Sequence, residues 1–139
     1  MPIAYTAHAT STGGRDGRGK TDDGKLDLAL SLPKEMGGDG KGTNPEQLFA
    51  VGYSACYLGA IKFVAGKEKV TITPDASVTA NVGVGPREDG GGFGLEVALD
   101  VNLPGLTKEQ ANDIATKAHV VCPYSHATKG NIKVTTNIV

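Results

Sequence analysis

At 139 residues the chain has the length of one domain, residues 1–139, and can bury a core without covalent staples. A net charge of -1, with no basic stripe or tail, argues against a nucleic-acid or anionic-membrane partner. No apolar stretch is expected to reach the roughly 18 residues of a membrane span, and Met1-Pro2-Ile3-Ala4-Tyr5 lacks a signal-peptide pattern, so a cytoplasmic protein is expected.

Tyr5, Ala7 and Ala9 alternate with polar neighbours and predict a half-buried strand. Gly13-Gly14-Arg15-Asp16-Gly17 is turn chemistry. Leu26, Leu28 and Leu30 predict a second strand, ended by Pro33, and a glycine-rich loop leads on to Thr43. A helix then opens with Asn44 as N-cap, Pro45 in the first turn and Gln47 completing a capping box. It is expected to run to Ala65 with Gly66 as its stop. Leu48, Phe49, Val51, Leu58, Ile61, Phe63 and Val64 make it apolar on most faces, which predicts a buried helix wrapped by sheet or shared with another subunit.

Ala76 to Val84 and Phe93 to Leu103 read as a hairpin around Pro86 to Gly92. Thr107 and Gln110 open a second helix by the same capping pattern, and Cys122-Pro123 ends or kinks it. Ile132, Val134 and Thr136 read as a last strand. The order ββ-α-ββ-α-β predicts an α+β domain with mainly antiparallel strands. Gly14-Arg15-Asp16-Gly17-Arg18-Gly19-Lys20-Thr21 matches a P-loop by letter, but Asp22-Asp23-Gly24 and a strand follow it where that loop needs a helix.

The chemistry rests on two cysteines, Cys56 in the first helix and Cys122 just past the second. They could be a structural disulfide, inert core residues, metal ligands or a redox couple. In a cytoplasmic chain a permanent disulfide is uncommon, and a free cysteine is often a small buried hydrophobe. Only a thiolate is a good nucleophile. Cys56 sits about three turns into its helix, beyond the reach of the N-terminal dipole, so a cation must be brought to it. Arg15, Arg18, Arg87 and the lysines are the candidates, arginine being suited because its charge is permanent and its fork can bond thiolate and carboxylate together.

Three separated segments stand out: Thr12-Gly13-Gly14-Arg15-Asp16-Gly17, the run from Gly42 to Cys56 that contains Asn44-Pro45-Glu46-Gln47-Leu48-Phe49 and Gly52-Tyr53-Ser54-Ala55-Cys56, and Val121-Cys122-Pro123-Tyr124-Ser125. Together they resemble the organic hydroperoxide resistance (Ohr) branch of the Ohr/OsmC superfamily. The likeness covers essentially the whole chain in order and spacing. It implies an OsmC-like fold, with mainly antiparallel sheets around a long buried central helix, in an intertwined homodimer. It also implies a thiol peroxidase that reduces organic hydroperoxides, fatty-acid hydroperoxides among them, to alcohols, with a role in oxidative stress resistance. By position, Cys56 is the peroxidatic cysteine, Cys122 the resolving one, Arg15 activates the thiolate and Glu46 holds Arg15. Cys56 would pass through a sulfenic acid to a Cys56–Cys122 disulfide. No bound cofactor or metal is implied; the co-substrate would be a dithiol, dihydrolipoamide or a lipoylated protein.

One expectation comes from helix geometry instead. Glu46 and Cys56 are ten residues apart, or about 15 Å along one straight helix. If both touch one arginine, the glutamate comes from a partner subunit, which predicts a homodimer with two composite sites. His126 stands where the family pattern expects asparagine, which bears on resolution or reductant docking. Two competing readings remain: a metal site from His119, Cys122, His126 and Cys56, and a thiol-sensing binding module without turnover.

Overall fold

The computed structural model describes Met1–Val139, which divide into two compact units, Met1–Leu48 and Phe49–Val139. The first unit holds β1 (Ala9–Thr12), β2 (Arg18–Thr21) and β3 (Asp27–Ala29) in one antiparallel sheet of order β1-β2-β3. The strand expected from Tyr5 starts only at Ala9, and Tyr5 itself is exposed. Strand β2 was not expected. Its Arg-Gly-Lys-Thr sequence has no apolar alternation, and its pairing with both neighbours is carried by the backbone. Lys20 and Thr21 lie in this strand, so no helix starts where a phosphate loop would need one.

Helix α1 (Pro45–Lys67) runs from the end of the first unit into the second. Its capping box forms as the sequence predicts: Gln47 N–H donates to Asn44 Oδ1 at 2.9 Å and Asn44 N–H to Gln47 Oε1 at 3.1 Å. Its end differs. Gly66 is helical, and the stop is Lys69, whose φ of 57° is left-handed while Val70 N–H reaches back to the Ala65 carbonyl at 2.9 Å. That is the bonding of a Schellman cap, made here without glycine at the left-handed position.

The second unit pairs β4 (Ser77–Pro86) with β5 (Phe93–Asn102) as the expected antiparallel hairpin. Strand β6 (Val134–Ile138) lies parallel to β5, a departure from the antiparallel pairing of the other strands. Its direction follows from the crossover through α2 (Lys108–Val121) and α3 (Pro123–Thr128), which a parallel neighbour requires. Thr107 and Gln110 form the predicted capping box of α2. Helix α3 was not expected: the Cys122-Pro123 pair that reads as a helix break ends α2 and, with Pro123 in the first turn, starts the next helix.

Tyr53, Tyr57 and Ile61 of α1 are fully buried in one cluster with Val97, Leu99 and Val101 of β5 and with Ile114 and Ala118 of α2. The Tyr57 hydroxyl donates to the Ala115 carbonyl at 2.7 Å. The opposite stripe of α1 is not covered within the chain, so the sheet does not wrap the helix on all sides. Leu48, Val51, Ala55, Gly59 and Phe63 are exposed in the chain, Val51 to 68% and Phe63 to 52%. Helix α1 also corrects the statement that no segment reaches membrane-spanning length, since it is long and apolar enough by composition. Its two buried tyrosines show it serving as a core helix.

A left-handed lysine carries a steric cost that glycine lacks. Lys69→Gly should therefore stabilise the protein by about 0.5–1 kcal/mol, read as a higher urea midpoint. An unchanged or lower midpoint contradicts the cap assignment.

Candidate active site

Each unit brings together one of the two predicted pairs. In the second unit the Cys122 Sγ lies 3.6 Å from the Cys56 Sγ, and both thiols are free. Cys122 has no exposed surface and belongs to the core cluster, whereas Cys56 is only partly buried. The N-terminal turn of α3 addresses both sulfurs. Ser125 N–H donates to Cys122 Sγ at 3.5 Å, and the backbone N–H of the neighbouring Tyr124 acts on the Cys56 thiol in favour of its charged form. Burial pushes the Cys56 thiol above its ordinary pKa and the adjacent Cys122 adds to this, while the Tyr124 N–H opposes it.

Helix α3 is held in place by buried hydrogen bonds. The Tyr53 hydroxyl lies 2.9 Å from Ser125 Oγ and 3.3 Å from Thr128 Oγ1. Ser125 Oγ is also 2.8 Å from His119 Nδ1, and His119 Nε2 is 2.7 Å from Thr136 Oγ1 on β6. The His119 ring stacks on Tyr57 with centroids 4.6 Å apart, and its burial lowers its pKa. No buried side-chain nitrogen or oxygen is left without a partner. Tyr124 lies against Phe49 and Tyr53, with ring centroids at 6.1 and 5.8 Å. Gly52, one turn before Cys56, makes room for it, because a Cβ there would stand 3.0 Å from the Tyr124 hydroxyl. Phe49, Tyr53 and Tyr124 thus form one aromatic cluster between α1 and α3.

In the first unit Arg15 sits in a short 3₁₀ turn between β1 and β2. Its fork grips Glu46, with Nη1 donating to Oε2 at 2.8 Å and Nη2 to Oε1 at 2.7 Å. The turn needs glycine: Gly13 has φ 74°, and a Cβ on Gly17 would fall 1.9 Å from the Thr12 carbonyl oxygen. The hydrogen bonds from Arg15 hold the Glu46 carboxyl below its ordinary range against the opposing effect of burial, and the same bonds raise the Arg15 guanidinium. Arg18, the alternative cation, is engaged elsewhere, donating to Asp27 Oδ1 at 2.7 Å. Arg87 bonds Asp89 and the Phe93 carbonyl of its own hairpin.

The metal reading does not assemble. Both His119 nitrogens are taken by hydroxyls, and no group of three or more His, Cys, Asp or Glu residues is placed to share an ion. Sequence reasoning missed Tyr53, His119, Tyr124 and Ser125 as supports of the thiol pair. The sequence does signal α3 itself, though not these partners, since Pro123 after a capping residue is a helix start as well as a helix stop.

A family profile described as OsmC-like protein matches residues 38–137. An organic hydroperoxide resistance protein of Xanthomonas axonopodis pv. citri is 52% identical over 96% of this chain and 93% of its own length. The chain belongs to the Ohr branch of the OsmC-like family. Solved structures agree. An organic hydroperoxide resistance protein from Elizabethkingia anophelis superimposes with a TM-score of 0.92 at 50% identity, covering 99% of this chain and 98% of that one. OhrB of Bacillus subtilis does so with a TM-score of 0.90 at 40% identity, covering 99% and 100%. The α+β architecture is therefore that of this family.

The Glu46 carboxyl is stabilised in its charged form, so this contribution is present above the ordinary carboxylate pKa of 4.5 and is lost as pH falls through the lower folded value. Glu46→Gln should flatten the acid limb of the stability curve below about pH 4.5, measured by urea midpoints at stepped pH. An acid limb as steep as in the parent would show that the pair contributes nothing.

Proposed function

We propose that this protein is a cytoplasmic thiol peroxidase that reduces organic hydroperoxides, including those of fatty acids, to alcohols. The observation that carries the reading is the 3.6 Å approach of Cys56 to Cys122. A disulfide needs about 2.05 Å, a gap that side-chain adjustment closes without unfolding the core. The Cys56 thiolate attacks one peroxide oxygen, the other leaves as the alcohol after protonation, and Cys56 becomes a sulfenic acid. The Cys122 sulfur then displaces hydroxide, which leaves as water, and a Cys56–Cys122 disulfide forms. A dithiol, dihydrolipoamide or a lipoylated protein, reduces it by exchange. The partly open rings of Phe49 and Tyr124, backed by buried Tyr53, suit an organic peroxide better than hydrogen peroxide.

Because burial raises the Cys56 thiol, the reaction needs a cation. Arg15 fills this role, oriented by its fork on Glu46. Glu46 and Cys56 stand about 15 Å apart along α1, so an Arg15 held by its own chain's Glu46 serves the thiolate of a second chain. This refines the expectation from sequence: arginine and glutamate come together from one subunit and both thiols from the other. The exposed stripe of Val51, Ala55, Gly59 and Phe63 on α1 supplies an apolar face for a homodimer.

Cys56→Ser should abolish consumption of cumene hydroperoxide, while Cys122→Ser should complete one turnover and stall as sulfenic acid or over-oxidise. Normal dithiol-driven turnover by Cys122→Ser would remove Cys122 from the cycle. A sensing module without turnover would show no catalytic peroxide loss in the parent. Dihydrolipoamide should outperform thioredoxin and glutathione as reductant in the same assay.

Arg15→Ala should slow peroxide attack by one to two orders of magnitude, roughly the loss of one charge-assisted bond. Mixing inactive Cys56→Ser with Arg15→Ala under subunit exchange should restore about a quarter of the parent activity, since half the dimers are mixed and each carries one intact site. No restoration after verified exchange would place the arginine and the thiolate on one chain.

A further inference from the structure

The reduction step has two possible targets, because a dithiol can attack either sulfur of a Cys56–Cys122 disulfide. We propose that it attacks the Cys56 sulfur, so that Cys122 is the leaving thiolate; this rests on the cycle proposed above.

The first argument is access. Cys122 has no exposed surface in a single chain and is packed with Tyr53, Tyr57, Ile61, Leu99 and Ala118. A partner subunit can only cover more of the protein, so Cys122 stays closed in any assembly. Cys56 is partly exposed, and it must meet the hydroperoxide in the other half of the cycle. Whatever opening admits the peroxide therefore also leads an attacking thiol to Cys56. The attack is in line: the incoming sulfur lies opposite the sulfur that departs. With Cys56 as the target the attacker comes from the accessible side, whereas with Cys122 as the target it would have to stand inside the core.

The second argument concerns the departing sulfur. Negative charge develops there as the S–S bond breaks. Ser125 N–H already donates to Cys122 Sγ at 3.5 Å. Ser125 is held in turn by Tyr53 and His119, at 2.9 and 2.8 Å from its hydroxyl. That donor is in place before reduction begins, so Cys122 is prepared to leave.

The exchange balances. A thiolate of the dithiol bonds to Cys56, the Cys56–Cys122 bond breaks, and Cys122 departs with the electron pair and takes up a proton. The second thiolate of the dithiol then attacks the mixed disulfide at the reductant's own sulfur. Cys56 is released as thiolate and the dithiol leaves as a cyclic disulfide, oxidised by two electrons. Peroxide and dithiol thus use one opening in turn.

The test maps the first adduct with a monothiol, which has no second sulfur for the intramolecular release and so leaves the mixed disulfide long enough to trap. Full-length protein is oxidised with equimolar cumene hydroperoxide, and disulfide formation is verified as the loss of two hydrogens in the intact mass. A brief pulse of 2-mercaptoethanol is quenched in acid, free thiols are capped with N-ethylmaleimide, and peptic peptides are sequenced by mass spectrometry. Mercaptoethanol on Cys56 with maleimide on Cys122 should exceed the reverse pattern by at least about ten-fold. Equal adducts, or an excess on Cys122, overturn the assignment while leaving the peroxidase cycle intact. Failure to lose two hydrogens on oxidation would instead overturn the cycle itself.

Discussion

The contact between Cys56 and Cys122 depends on how α3 is held. Pro123–Thr128 begins directly after Cys122, and the Ser125 N–H of its first turn donates to the Cys122 sulfur. That turn is tied from below by the buried run from Tyr53 through Ser125 to His119 and Thr136, which links α1, α2, α3 and β6. Each polar atom in it has a partner, and a satisfied buried network gives a single arrangement, since any shift would strand a donor or acceptor. The 3.6 Å sulfur separation thus rests on hydrogen bonds made by residues that bear no redox chemistry.

Burial that brings the thiols together also works against their reactivity. Removal from water disfavours the thiolate, and the neighbouring thiol adds to the penalty. An opposite charge is the remedy that general physical chemistry offers. The chain carries a guanidinium of fixed orientation in Arg15, set by two short bonds to Glu46 and by a turn in which glycines permit close backbone approach. Arg18 and Arg87 have their own carboxylates and are committed to local structure. A charge locked on Glu46 and a thiol ten residues further along the same helix are the two facts behind the proposed two-chain site.

Helix α1 presents three different surfaces. One face supplies Tyr53, Tyr57 and Ile61 to the core, and Cys56 stands beside Tyr57 and is only partly covered. The opposite stripe leaves Val51 and Phe63 open. A composition suited to all three is apolar nearly throughout, which is why the helix is long and apolar enough to cross a membrane while being the core helix of a folded unit.

What the sequence determined by itself was local or positional. Capping boxes at Asn44 and Thr107, the β4–β5 hairpin, the rejection of the phosphate loop and the family motifs all depend on neighbours within a few residues, where side-chain and backbone chemistry act directly. The 3.6 Å meeting of Cys56 with Cys122 and the fork of Arg15 on Glu46 rather than Asp27 join residues far apart in the chain, and only tertiary packing decided them. The same holds for β2, whose ladder is built from backbone and leaves no side-chain pattern, and for the parallel direction of β6, fixed by the helical crossover. The roles of Tyr53, His119 and Ser125 were invisible in sequence for a plain physical reason: an isolated polar residue declares no partner until the fold buries it and obliges it to find one.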